Sequence, residues 1–170
     1  MTGFRSATHV VQLATLVLAA VGAAQAQAQV PAPTRFTVSA DGQEVLDTKT
    51  NLLWRRCAEG MLWDGKLCKG KPAKFKFAAA KDYTATLAKT ANKGWRVPTK
   101  EELQGIVVKQ KKKPMLDHAA FPNTPSANFW AVREGFSDNL NAWMVNFGNG
   151  RVYGNNGEAK PHLRLVRANR

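Results

Sequence analysis

Lysines supply most of the chemical signal in this chain. Lys66, Lys69, Lys71, Lys74, Lys76 and Lys81 follow Gly65 with no acid among them, and Lys109, Lys111, Lys112 and Lys113 form a second run. Ammonium groups on flexible stems attract sulfates, phosphates and carboxylates as point charges rather than as shaped bidentate partners. The whole chain leans the same way, with 25 Lys and Arg against 12 Asp and Glu. A field of that sign favours polyanions. A charge run is commonly only a solvated face, and that alternative stands for either run alone. Both runs together with the overall excess favour a polyanion-binding surface, one that is salt-sensitive and loosely specific.

Catalytic constellations are sparse, and no enzyme is expected. His9 falls in the apolar leader described below, which leaves His118 and His162 as possible bases or ligands. Asp117 and His118 are adjacent, which does not put them in a catalytic relation, because geometry must come first. No serine sits in a nucleophile-elbow context and no glycine-rich phosphate loop occurs. No carboxylate cluster is dense enough for calcium. Cys57 and Cys68, in an exported chain, read as a disulfide staple. Two thiols without a nearby histidine cannot fill a tetrahedral metal site. Neither a metal nor a cofactor is expected.

Five tryptophans could stack on sugar rings. Trp54, Trp95, Trp130 and Trp143 lie inside apolar runs and read as core. Trp63, beside Asp64 and Gly65 in the stapled loop, is the candidate for an exposed aromatic platform.

The elements that must position these groups begin after a leader. Arg5 precedes the apolar run Leu13 to Ala24, and Ala24-Gln25-Ala26 and Ala26-Gln27-Ala28 offer small-residue cleavage sites. Residues 1–28 therefore read as a secretory signal peptide, too short and wrongly flanked for a membrane anchor. Residues 29–35 read as a disordered lead-in and 36–170 as one domain. The expected location is the periplasm or the extracellular space.

Within the domain, Phe36 and Val38, the Asp41-Gly42 turn, then Val45 and Leu46 give a hairpin. Leu52-Leu53-Trp54 reads as a short buried strand. Ala80, Thr84, Leu87 and Ala91 recur at helical spacing over 77–92. Gly94 is suited to closing that helix. Pro98 keeps Val97 extended, and Thr99 with Glu102 forms a capping box for a second helix running to about Lys109. Arg96 has no local partner and is expected to meet a buried carboxylate or carbonyl. Phe129 to Val132 reads as a strand. Trp143, Val145 and Phe147 alternate with Met144 and Asn146 as a half-buried strand, and Asn149-Gly150 reads as a two-residue hairpin turn. Asn155-Asn156-Gly157 is another turn. Leu163 and Leu165 alternate with Arg164 and Val166 in a last strand. The expected class is α+β, with the terminal strands pairing.

The ordered set Asp47-Thr48-Lys49-Thr50-Asn51-Leu52-Leu53-Trp54, Gly94-Trp95-Arg96-Val97-Pro98-Thr99 with Glu101-Glu102-Leu103, Phe121-Pro122-Asn123-Thr124, Phe129-Trp130, Ala142-Trp143, Asn146-Phe147 and Leu163-Arg164-Leu165-Val166-Arg167 resembles the Lcl C-terminal domain family. The resemblance implies a C-type-lectin-like fold: two helices packed on small antiparallel sheets, paired terminal strands and a long loop region. The collagen-like adhesin that gives the family its name is associated with sulfated glycosaminoglycans, which suits the lysine excess. This chain has no Gly-X-Y repeat, so trimeric adhesion does not transfer. Val97 stands where such domains usually have leucine, and Ala131-Val132 replaces small hydroxyl residues.

The resulting expectation is an exported binding domain that meets an anionic polysaccharide, lipopolysaccharide or other envelope polymer, with peripheral membrane contact and no nucleic acid. The alternative is a structural or protein-interaction subunit of the envelope, which requires an exposed apolar patch near the Trp63 loop or the Phe121-Pro122 loop.

Overall fold

The computed structural model describes residues 1, 3, 34–91, 94–133 and 142–169. The expected signal peptide and most of the expected lead-in lie outside the described residues. Contacts divide the chain into units 1–32 and 33–170, and everything below concerns the second.

Alternating residues around the Asp41-Gly42 turn produce the expected hairpin. Strands β1 (Phe36–Val38) and β2 (Glu44–Asp47) pair antiparallel with Val38 opposite Val45. Gly42 takes a positive φ of 71°, which glycine adopts without steric cost. Strand β3 (Leu52–Arg55) pairs with β2 and with β9 (Val166–Ala168), so this sheet runs β1-β2-β3-β9. The last strand therefore meets β3 and not the first strand, a correction to the expected pairing of termini. One face of this sheet buries Val45, Trp54 and Val166, which sit in mutual register.

Arg35 donates to both carboxylate oxygens of buried Asp47 (2.9 and 2.7 Å) and to the carbonyl of Gly105 at 2.9 Å. A two-pronged ion pair thus ties the residue preceding β1 to the end of β2.

Strands β4 (Leu62–Trp63) and β5 (Cys68–Lys69) form a small hairpin. Cys57 and Cys68 are joined in a disulfide with a Cα–Cα separation of 5.5 Å, as expected. Helix α1 (Phe77–Ala91) matches the expected helix as far as Ala91, Asn92 lying outside the described residues, and buries Phe77, Ala80 and Thr84. Helix α2 (Lys100–Gly105) is shorter than expected. After Gly105 come three β-branched residues, which lose side-chain freedom in a helix, and Val108 N–H instead donates to the carbonyl of Met115 at 2.8 Å. The second lysine run thus lies on a loop.

Strands β6 (Asn128–Val132), β7 (Ala142–Asn146) and β8 (Val152–Asn155) make a third antiparallel sheet. Both of its faces are covered. Phe129, Ala131 and Val145 point into one core cluster, whereas Trp130, Ala142 and Met144 point into the other. The half-buried reading of β7 is corrected accordingly, since Met144 is buried against a second layer that includes Phe77, Leu163 and Leu165. The β7–β8 turn is also longer than two residues. Asn146 pairs with Arg151 through its N–H, and its side-chain oxygen accepts from the amides of Gly148 (2.7 Å) and Asn149 (3.1 Å), so the turn starts at Phe147.

Two extended segments link the sheets. In the Gly94–Thr99 stretch, Arg96 exchanges backbone bonds with Val166 (2.9 and 3.1 Å), and the carbonyl of Pro98 accepts from Val132 at 2.9 Å. In the 162–166 segment, His162 bonds to β6 through Asn128 and Trp130, while the carbonyl of Leu165 accepts from Arg55 on β3. A chain wedged between two sheets has no solvent side, so the expected alternation fails there. Arg164 is fully buried alongside Leu163 and Leu165.

Candidate anion-binding surface

The stapled loop and its continuation present Lys66, Lys69, Lys71, Lys74 and Lys76 at the surface, all exposed. Two of the five have their charge matched. Lys69 pairs with Asp64 at 2.7 Å and Lys76 with Glu158 at 2.7 Å. Lys69 donates to Asp64, and together with the loop amides of Leu67 and Lys66 it holds that carboxyl far below the usual carboxylate range. Lys81 lies over the Phe77 ring at 5.3 Å.

Lys74 has a different setting. It lines a cavity of about 260 Å³ with Ala127, Asn128, Met144, Ala159, Lys160, Pro161 and His162. The cavity opens where the 73–75 segment, the start of β6 and the 159–162 segment come together. Pairing of Phe75 N–H with the carbonyl of Pro161 (3.1 Å) sets that meeting. No carboxylate lines it, and neither Lys74 nor Lys160 has an acidic partner among the described residues. His162 is fixed, with Nδ1 bonded to the carbonyl of Ala73 at 2.9 Å and its ring 5.4 Å from that of Phe129. Lys74 and Lys160, both exposed, add positive charge beside this concave surface.

The second run is elsewhere. Lys109, Lys111, Lys112 and Lys113 are exposed on the loop after α2. Lys109 lines a larger cavity of about 430 Å³ with Gln104, Val107, Gln110, Met115, Asn149 and Gly150. Val107 packs against the core cluster on one face of the β6-β7-β8 sheet, and Met144 of the first cavity belongs to the cluster on the other. The two lysine runs are thus not gathered into one pocket.

Trp63 is not a bare platform. The Arg56 guanidinium lies 3.7 Å from its ring centroid, and a Cβ on Gly42 would fall 2.3 Å from its indole nitrogen. Trp54, Trp95 and Trp130 are core, as expected, while Trp143 is half-buried beneath the Lys100 ammonium at 4.8 Å. Trp95 is flanked by the guanidiniums of Arg55 (5.1 Å) and Arg167 (5.2 Å).

The signature stretch has structural partners throughout. Thr99 and Glu102 make the expected capping box. Gly94 has a positive φ of 63°. Arg96 finds a carboxylate, Glu102, at 2.6 and 2.8 Å, but near the surface and not in the interior. Burial works to raise the Glu102 pKa and is outweighed by these bonds and those from Thr99, so the carboxyl sits below its ordinary value.

The histidine expectations separate. Asp117 accepts from the amides of Ala119 and Ala120 (both 2.9 Å), a local turn that occupies its carboxylate. His118 lines neither cavity, and its Nε2 is buried without a hydrogen-bond partner. No group of three or more His, Cys, Asp or Glu side chains suited to a metal occurs among the described residues.

Several polar residues carry weight that the sequence did not announce. Arg164 donates to the carbonyls of Arg55 and Arg56 and to the Thr124 hydroxyl, and its guanidinium lies 4.8 Å from the Phe121 ring centroid. Burial pushes its pKa down to about 9. Tyr83 donates to buried Glu59 at 2.7 Å, and burial together with that carboxylate pushes the phenol up to about 12. Lys160 and Gln104 stand alone in the sequence, and only the chain path brings them to cavities.

The model described as Lcl C-terminal domain matches residues 43–167, nearly the whole described unit. The chain belongs to that family. No curated protein and no solved structure matches it. The match runs from β2 to β9, so the family region includes the staple, both cavities and the capping-box stretch. No helix among the described residues is long and apolar enough to cross a membrane.

Proposed function

We propose that this is an exported, non-catalytic binding domain whose lysine-rich surface contacts an anionic glycan or envelope polymer. The observation that carries the reading is the pair Lys74 and Lys160, which line one cavity and have no acidic partner among the described residues. Family membership, the disulfide and the net charge of +13 support it. The same reading takes the architecture as C-type-lectin-like, supported by two helices, β3 paired with the last strand and a long loop between α2 and β6.

The test is retention on immobilised heparin against a plain cation exchanger of matched charge density. Elution from heparin at distinctly higher salt is expected, and Lys74→Glu with Lys160→Glu should abolish the difference. Elution from both at the same low salt would reduce the interaction to bulk charge.

A second reading, a protein-interaction subunit, has one observation in its favour. Leu62 is 78% exposed and Leu67 37% exposed, both on the stapled loop. The Phe121-Pro122 loop gives it no support, because both residues are buried. Recovery of a specific crosslinked partner through position 62 would favour it.

A further inference from the structure

We infer that the cavity between the loop after α2 and the β7–β8 turn is a subsite for a single sugar ring bearing one acidic substituent. It lies apart from Lys74 and Lys160, and its volume of about 430 Å³ is in the range of small-ligand pockets. Its lining divides into three chemical parts. Val107 and Met115 supply the apolar part and lie close to the turn, where a Cβ on Gly150 would stand 3.2 Å from Val107 Cγ1 and 3.7 Å from Met115 Sδ. Gln104, Gln110 and Asn149 supply amides. Lys109 supplies one ammonium without an acidic partner among the described residues.

The amides are not equivalent. Gln110 donates its Nε2 hydrogens to the carbonyls of Pro114 (3.2 Å) and Leu116 (2.7 Å). Two carbonyl partners fix which end of the amide is nitrogen, so Oε1 is left as an acceptor and nothing else. Asn149 is likewise held, donating to the Tyr153 hydroxyl at 3.0 Å and accepting from Arg151 N–H at 3.0 Å. Gln104 is exposed and has both functions to offer.

An amide oxygen held as an acceptor suits a ligand that donates. Bare sulfate or phosphate satisfies Lys109 but brings no hydrogen to the Gln110 acceptor, whereas a hydroxyl does. A hydrocarbon covers Val107 and Met115 but offers nothing to Gln104 or to the Gln110 oxygen. A hydroxylated ring meets every part: its C–H face lies on Val107 and Met115, its hydroxyls pair with Gln104 and Gln110, and a carboxylate or sulfate ester reaches Lys109. The requirement for hydroxyls together with one acid is what distinguishes this site from a general polyanion surface.

The experiment is a titration of ¹⁵N-labelled protein followed by amide shifts, with three probes: D-glucuronate, D-glucose and sodium sulfate. Saturable shifts centred on Gln104, Val107, Gln110, Met115 and Gly150 are expected with glucuronate, weaker ones with glucose, and none that saturate with sulfate. Exposed Lys109→Gln should weaken glucuronate by about two- to five-fold, as for an exposed ion pair, and leave glucose unchanged. Gln104→Ala should weaken both sugars. Lys74→Glu with Lys160→Glu should leave the response intact, so loss of heparin retention and loss of this site are separable. An equal response to sulfate, or no saturable shift at the cavity with either sugar, overturns the inference.

Discussion

The guanidinium of Arg164 donates to the hydroxyl of Thr124 at 2.6 Å inside the protein, with no carboxylate paired to it among the described residues. Thr124 in turn donates to the carbonyl of Phe121 at 3.0 Å. Arg164 also holds the carbonyls of Arg55 and Arg56, immediately before Cys57. One side chain therefore ties the last segment of the chain to the root of the stapled loop and to the loop before β6. Burial of a guanidinium is costly unless its donors are satisfied, and here backbone carbonyls and a hydroxyl do most of that.

Replacing Arg164 with Met keeps the volume and strands those acceptors in the core. The expected loss is about 3–5 kcal/mol, read as a lower urea midpoint. Arg164→Lys keeps charge but not the fork, and should recover only a minor part. A variant within 1 kcal/mol of the parent, roughly the scale of one ordinary hydrogen bond, would show that Arg164 is not the tie described.

Glu102 serves two donors at once: the amide of Thr99 at 2.8 Å and the guanidinium of Arg96 at 2.6 Å. Thr99→Ala should cost about 1 kcal/mol through loss of the cap, and Arg96→Ala less than about 1 kcal/mol because the pair is half-exposed. The double variant should deviate from the sum, since the Thr99 hydroxyl and the Arg96 guanidinium both hold Glu102, one through its N–H and the other through its carboxylate. Strict additivity in thermal unfolding would argue that the cap and the ion pair are independent.

These two sites show what the sequence could reveal. Thr99 and Glu102 are three residues apart, and a capping box is specified by that spacing alone. The Asp41-Gly42 hairpin and the Phe77–Ala91 helix are local for the same reason. Arg164 looked outward-facing because alternation assumes a strand with a wet side, and the 162–166 segment has none. Helix α2 stops short of Lys109 because Ile106 and Val107, although they face inward, do so from a loop. Asn149-Gly150 looked like a complete turn, yet the Asn146 side chain starts the turn earlier. At the candidate surface, Lys74 and Lys109 were visible as members of charge runs. Their partners Lys160 and Gln104 were not, because they lie 86 and five positions away with no shared pattern.

The staple gives a third prediction. Cys57 and Cys68 close a short loop whose far cysteine carbonyl accepts from the Asn123 amide at 3.2 Å. Cys57→Ser with Cys68→Ser should lower stability by roughly 2–3 kcal/mol on the chain-entropy account. If the loop's surroundings depend on it, amide exchange should rise at residues 57–69 and 123–124 before it rises in the β6-β7-β8 sheet. Uniform acceleration across the domain would instead mark the disulfide as a global constraint.

Acid sensitivity should track Asp47. Burial acts to raise its pKa, but bonds from Arg35, Thr50 and the amide of Lys49 outweigh that and hold the carboxyl below its ordinary value. A carboxyl depressed in the folded state releases its proton more readily there than in the unfolded chain. Its stabilisation is therefore fully present above the unfolded pKa, about 4, and disappears as pH falls through the folded value. Glu102 has the same sign. Arg35→Ala should cost about 2 kcal/mol at pH 7, with the difference from the parent shrinking steadily below about pH 4 as Asp47 is protonated in both. Urea midpoints collected across that interval measure it directly. A difference that stays constant down to acid would mean that Arg35 acts through the carbonyl of Gly105 or its place over the Phe36 ring, and not through Asp47.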